Sequence, residues 1–93
     1  MSTLNEIINN PNNHLIDVRE PYEVAEVSVK GATNIPMGEI MSRLEEFKKM
    51  EGEIVVFCRS GARSGNVMQF LNQHGFTNIT NGGGYADVQA HLM

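Results

Sequence analysis

The apolar residues change period along the chain. Leu4, Ile7 and Ile8 fall on one side of a short helix, opened by a capping-box sequence at Thr3-Leu4-Asn5-Glu6 and stopped at Asn9-Asn10-Pro11. Leu15-Ile16-Asp17-Val18 then reads as a brief strand, and Glu20-Pro21-Tyr22-Glu23 suits a helix start with proline in the first turn. Lys30-Gly31-Ala32 predicts a turn, and Thr33-Asn34-Ile35 a short strand ended by Pro36. From Gly38 to Met50, Ile40, Met41, Leu44 and Phe47 recur at helical spacing, with Glu45 and Lys49 placed to pair on the outer face. Ile54-Val55-Val56-Phe57 has no polar alternation, as a central parallel strand covered on both faces requires. Val67, Met68, Phe70 and Leu71 mark a further helix that Gly75 terminates. Phe76 to Thr80 reads as a last strand, Asn81-Gly82-Gly83-Gly84 as a flexible turn, and Tyr85 to Leu92 as a closing helix.

Strands that alternate with helices predict an α/β fold with a mainly parallel sheet, because parallel neighbours need crossover connections. At 93 residues the chain has material for one core, so residues 1–93 are read as a single domain. Neither a low-complexity tract nor an internal repeat disturbs that reading.

The formal net charge of −4 argues against nucleic acid or an anionic membrane as partner, since both repel an acidic surface. The single cysteine excludes an internal disulfide and a cysteine-rich zinc site. The polar, interrupted N-terminus does not read as a signal peptide, and no apolar run reaches membrane-spanning length. A reducing cytoplasm is the expected compartment, which leaves the sequon Asn78-Ile79-Thr80 without meaning.

The cysteine sits where the strand pattern gives way to a helix. Cys58 ends the apolar strand, and open α/β sheets bind ligands at the carboxyl ends of their strands. In the loop that follows, backbone N–H groups and the start of the next helix make an anion cradle. Arg59 and Arg63 add positive charge, Ser60 and Ser64 offer hydroxyl donors, and Gly61 and Gly65 allow the backbone to bend. Together these features favour thiolate over thiol and make the Cys58 sulfur a nucleophile near neutral pH.

Cys58-Arg59-Ser60-Gly61-Ala62-Arg63-Ser64 resembles the active loop of the rhodanese family of sulfurtransferases. Leu15-Ile16-Asp17-Val18-Arg19-Glu20-Pro21-Tyr22-Glu23 resembles the family's first-strand signature, and Gly31 to Pro36 and Gly75 to Ile79 match in order. The resemblance implies a small sheet of about five strands with helices on both faces. It implies catalysis by Cys58, with residues 59–64 around the substrate. Cys58 would take the outer sulfur of thiosulfate or a related small anionic donor, hold it as a persulfide, and pass it to a thiophilic acceptor such as cyanide or a thiol. No metal or organic cofactor is implied. An alternative is a module that carries persulfide sulfur for a relay protein, with little thiosulfate activity of its own. Cysteine-dependent phosphatases and arsenate reductases resemble the fold but use a Cys-x5-Arg loop, whereas Cys58 and Arg63 stand in a Cys-x4-Arg spacing. The tighter ring suits one added sulfur better than a phosphoryl group.

Two stretches depart from the family pattern. Val27-Ser28-Val29 stands where Gly-His-Ile is common, which leaves donor preference open, and Gly83-Gly84-Tyr85 is followed by no tryptophan. Asp17 and Arg19 end the first strand on the same sheet edge as Cys58; they either line the site or form a buried ion pair together with Glu23. His14, His74 and His91 lack metal-ligand spacing, and His74 suits the C-terminal end of a helix dipole. Met37, Met41, Met50 and Met68 read as core or rim fillers. Gly82-Gly83-Gly84 lacks the lysine and spacing of a phosphate loop.

Overall fold

The computed structural model describes residues 3–93; the first two positions of the expected 1–93 domain lie outside the described residues. Helix α1 (Leu4–Asn9) opens with the expected capping box: Glu6 N donates to Thr3 Oγ1 at 3.2 Å and Thr3 N to Glu6 Oε1 at 3.0 Å. It leads into β1 (His14–Asp17), then α2 (Pro21–Glu26) with proline in its first turn, and β2 (Thr33–Asn34). Two 3-10 turns, Met37–Glu39 and Met41–Arg43, precede α3 (Leu44–Lys48). Then follow β3 (Ile54–Cys58), α4 (Ala62–Gln73), β4 (Ile79–Gly84) and α5 (Tyr85–His91).

The strands form one four-stranded parallel sheet in the order β2-β1-β3-β4, close to the five or so expected. Every residue of β3 is buried, and its pleat divides the core in two. Ile54, Val56 and Cys58 face one cluster with Phe47, Val67 and Leu71 from α3 and α4. Val55 and Phe57 face the other, with Ile8 from α1 and Val88 from α5. Burial of each large apolar side chain contributes about 1.5–3 kcal/mol, and helices on both faces supply the cover that an all-apolar strand needs.

Three local features of the structure differ from those the sequence pattern predicts. The Gly38–Met50 stretch is not one helix: the Ser42 hydroxyl donates to Glu39 O at 3.0 Å, competing for a helical acceptor, and the chain turns twice before α3 begins. Because α3 ends at Lys48, the surface pair on its outer face is Glu45 with Lys48 at 3.1 Å, three residues apart, and Lys49 is the C-cap. The third difference bears on the site. The last strand runs from Ile79 to Gly84, so the glycines expected in a turn belong to the sheet. A Cβ on Gly82 would stand 2.8 Å from Val55 Cγ1, and one on Gly84 2.5 Å from Arg59 O. The strand is glycine-rich because its neighbours leave no room for side chains. A bulge follows Asn81: Val56 pairs Asn81 but Phe57 pairs Gly83, so Gly82 is the extra residue, and Gly83 takes φ +84°.

Candidate active site

Cys58 is the last residue of β3 and is 1% exposed, with its side chain on the α4 face of the sheet. The chain then turns through Arg59, Ser60 and Gly61 into α4. Gly61 has φ +97°, a left-handed conformation that glycine alone adopts without strain, and a Cβ there would lie 3.2 Å from Gly83 Cα. This turn aims amides at the sulfur. Gly61 N donates to Cys58 Sγ at 3.0 Å, and the backbone N–H groups of Ser60 and Ser64 also face it. Ser64 is fully buried, with Oγ 3.4 Å from Sγ.

Burial pushes the Cys58 thiol up, but the Ser64 hydroxyl and the N–H groups of Ser64, Ser60 and Gly61 outweigh it and bring the group down to about 7 from 9.0. Hydrogen bonds, rather than the arginines, carry the drop. Arg63 is committed elsewhere: Nη1 donates to Glu23 Oε1 at 2.7 Å and Nη2 to Glu23 Oε2 at 3.0 Å. The Glu23 carboxyl is held down at about 2 by that guanidinium and by the backbone N–H of Glu20. Arg59 and Ser60 are exposed on the loop, and Ala62 is exposed at the start of α4. Arg59 makes no ion pair among the described residues. Gly65 lies inside α4, its N–H bonded to Gly61 O at 2.9 Å, so it supports the helix rather than a bend.

Asp17 and Arg19 form a buried ion pair at 2.8 Å. Arg19 Nη2 also donates to Val27 O at 2.6 Å, and its guanidinium lies 4.3 Å from the centre of the Tyr85 ring. Glu23, expected in that pair, binds Arg63 instead. Arg19 nevertheless reaches a polar cleft of about 240 Å³ with Arg59, Glu23, Glu26 and Tyr85 on its walls. An apolar groove of about 250 Å³ runs beside α4, lined by Met37, Ile40, Met41, Val67 and Phe70. His74 caps α4, its Nδ1 2.9 Å from Phe70 O.

Asn81 was not legible as a site residue. From β4 its Oδ1 accepts from Ser64 Oγ at 2.8 Å and from Gly83 N at 3.0 Å, while its Nδ2 donates to Gly61 O at 3.1 Å. It ties the loop, the α4 start and the bulge together. The Ser64 hydroxyl has one proton for two acceptors, Cys58 Sγ and Asn81 Oδ1, so it serves whichever is the more negative. Reading residues 81–84 as a turn concealed this role.

A parallel α/β domain that ends its central strand in a buried, amide-lined cysteine of lowered pKa defines a class of protein built for nucleophilic sulfur chemistry. The Rhodanese-like domain model matches residues 1–91, and the chain belongs to that family. YtwF of Bacillus subtilis (strain 168) is 45% identical over 71 residues, covering 76% of this chain and 68% of that protein. The thiosulfate sulfurtransferase PspE of Escherichia coli (strain K12) is 36% identical over 76 residues, covering 81% and 73%. A solved structure described as a rhodanese with anions from E. coli superimposes with a TM-score of 0.73 at 34% identity, covering 81% of this chain and 89% of that one.

Proposed function

We propose that the protein is a rhodanese-type sulfurtransferase whose persulfide forms on Cys58. The observation that carries this reading is the ring of N–H donors, with Gly61 N at 3.0 Å, around a sulfur brought down to about 7. In the first half-reaction the Cys58 thiolate attacks the outer sulfur of a donor such as thiosulfate. The Sγ–S bond forms, the donor's S–S bond breaks, and its electron pair leaves on sulfite. The terminal persulfide sulfur is then the anion, and the loop amides and the α4 N-terminus stabilise it. In the second half-reaction cyanide or a thiolate attacks that sulfur, and the electron pair of the Sγ–S bond returns to Cys58. Charge and atoms balance in both steps without a metal or organic cofactor.

Intact-protein mass spectrometry tests the reading. Incubation with thiosulfate should add one sulfur, about 32 Da, that cyanide removes and that Cys58→Ser does not acquire. No gain with several sulfane donors would exclude persulfide chemistry on this chain.

A second reading is favoured by the apolar groove beside α4, where Met37 and Met41 are exposed. A persulfide-carrying protein docked on such a surface would deliver sulfur directly, with thiosulfate turnover incidental. Faster loading of Cys58 from a persulfidated protein than from thiosulfate would support it.

A further inference from the structure

Of Arg19, Arg59 and Arg63, two are held by carboxylates. Arg19 is held by Asp17, and Arg63 by Glu23 through two parallel bonds of 2.7 and 3.0 Å. The Glu23 carboxylate is itself fixed, since its Oε1 also accepts from Glu20 N at 3.0 Å. Arg59 has no carboxylate partner among the described residues and lines the polar cleft together with Arg19, Glu23 and Glu26. In formal charge Arg19, Arg59 and Arg63 equal Asp17, Glu23 and Glu26, so a Cys58 thiolate, whose charge Arg63 feels, leaves this set net negative. A site built to hold a dianion would leave a guanidinium fork open toward it. Here the fork of Arg63, the arginine coupled to Cys58, is already filled, which leaves only the exposed Arg59 unpaired of the three.

We infer that Glu23 is a specificity-determining residue: by occupying Arg63 it biases the site toward singly charged sulfane donors, thiosulfonate or persulfide anions, and against dianionic thiosulfate. This inference rests on the sulfurtransferase reading of Cys58. For a thiosulfonate R–SO2–S⁻ the Cys58 thiolate attacks the outer sulfur, the new Sγ–S bond forms, and the donor's S–S bond breaks with its electron pair leaving on the sulfinate R–SO2⁻. Two negative charges stand on each side of the step. With thiosulfate three do, and the extra charge is repelled by Glu23 as well as by the thiolate.

Methanethiosulfonate and thiosulfate differ by a methyl group in place of one oxyanion, so they isolate charge. Loading of Cys58 by each is measured first by mass. Steady-state transfer to cyanide is then compared in the wild type and in Glu23→Gln. Removing one charge near a donor is expected to lower KM for thiosulfate about three- to tenfold more than KM for methanethiosulfonate, and added salt should shrink the difference. Equal changes for both donors would overturn the inference and assign Glu23 a purely structural tie between α2 and α4. Absence of loading by either donor would instead overturn the sulfurtransferase reading. If Glu23→Gln fails to fold, sulfate and methanesulfonate serve as unreactive competitors of the wild type. Methanesulfonate is expected to inhibit at the lower concentration, and tighter inhibition by sulfate would overturn the inference.

Discussion

The backbone N–H of Gly61 donates to the sulfur of Cys58 across 3.0 Å from a residue held in the left-handed region at φ +97°. A backbone angle and the reactivity of a side chain are thus one property. Thiolate formation should show it directly. Alkylation of Cys58 by iodoacetamide should rise with pH about a midpoint near 7, where an unperturbed thiol would give 9.0. Thiolate absorbance in the ultraviolet should give the same midpoint, and Gly61→Ala should move it upward.

Ser64→Ala removes the hydroxyl that stands 3.4 Å from the sulfur while leaving Gly83 N on Asn81 Oδ1. A hydrogen bond to a charged group is worth about 1.5 kcal/mol, so the Cys58 midpoint should rise to about 8. The same pH profile of alkylation measures it.

Asn81→Ala cuts the ties to Ser64, Gly61 and Gly83 together. Urea unfolding should show a loss of about 1–3 kcal/mol. Sulfur loading at neutral pH should slow even in the fraction that remains folded, because the Gly61 carbonyl is no longer held from β4. Loading at the wild-type rate would show that the loop keeps its shape without Asn81.

Asp17→Ala leaves the Arg19 guanidinium buried without its carboxylate and should cost about 3–5 kcal/mol by chemical denaturation. Lys48→Ala breaks an exposed pair with Glu45 and should cost less than about 0.5 kcal/mol. The contrast separates ion pairs that hold the fold from those that decorate it.

The Glu23–Arg63 tie should weaken in acid. The Glu23 carboxyl is held at about 2 in the folded protein and returns to 4.5 when unfolded, so it binds its proton more readily in the unfolded chain. Its stabilisation is complete above about 4.5 and is lost as pH falls through about 2. The stability gap between the wild type and Glu23→Gln, measured by urea at pH 6 and at pH 2, should narrow at the lower value.

The apolar run Ile54–Phe57, the helical spacing after Gly61 and the lone cysteine between them were enough to place Cys58 at the end of a central strand and to call for a parallel sheet covered on both faces. Thr3 and Glu6, Pro21 and Gly75 act within a few residues, so their caps and stops were legible as well. Gly82 and Gly84 were misread because glycine serves turns and close packing alike. What distinguishes the two is a neighbour such as Val55 or Arg59, more than twenty residues away in the chain. Separations of 17 and 20 residues from Ser64 and Gly61 likewise hid Asn81, and with it the tie between β4 and the cysteine loop.

The sequence by itself determined the order of elements, the position of Cys58 at a strand end and the tight spacing to Arg63, because periodicity, capping and loop length are local properties of the chain. The tertiary structure alone decided the partners of the charges. Arg63 reads as an open cation until the fold sets Glu23 of α2 2.7 Å from it across 40 residues of chain, and Arg19 until Asp17 pairs with it at 2.8 Å. Charge type is written in each side chain, but its availability depends on what the fold sets beside it, since a paired guanidinium and a free one present different fields to an arriving anion.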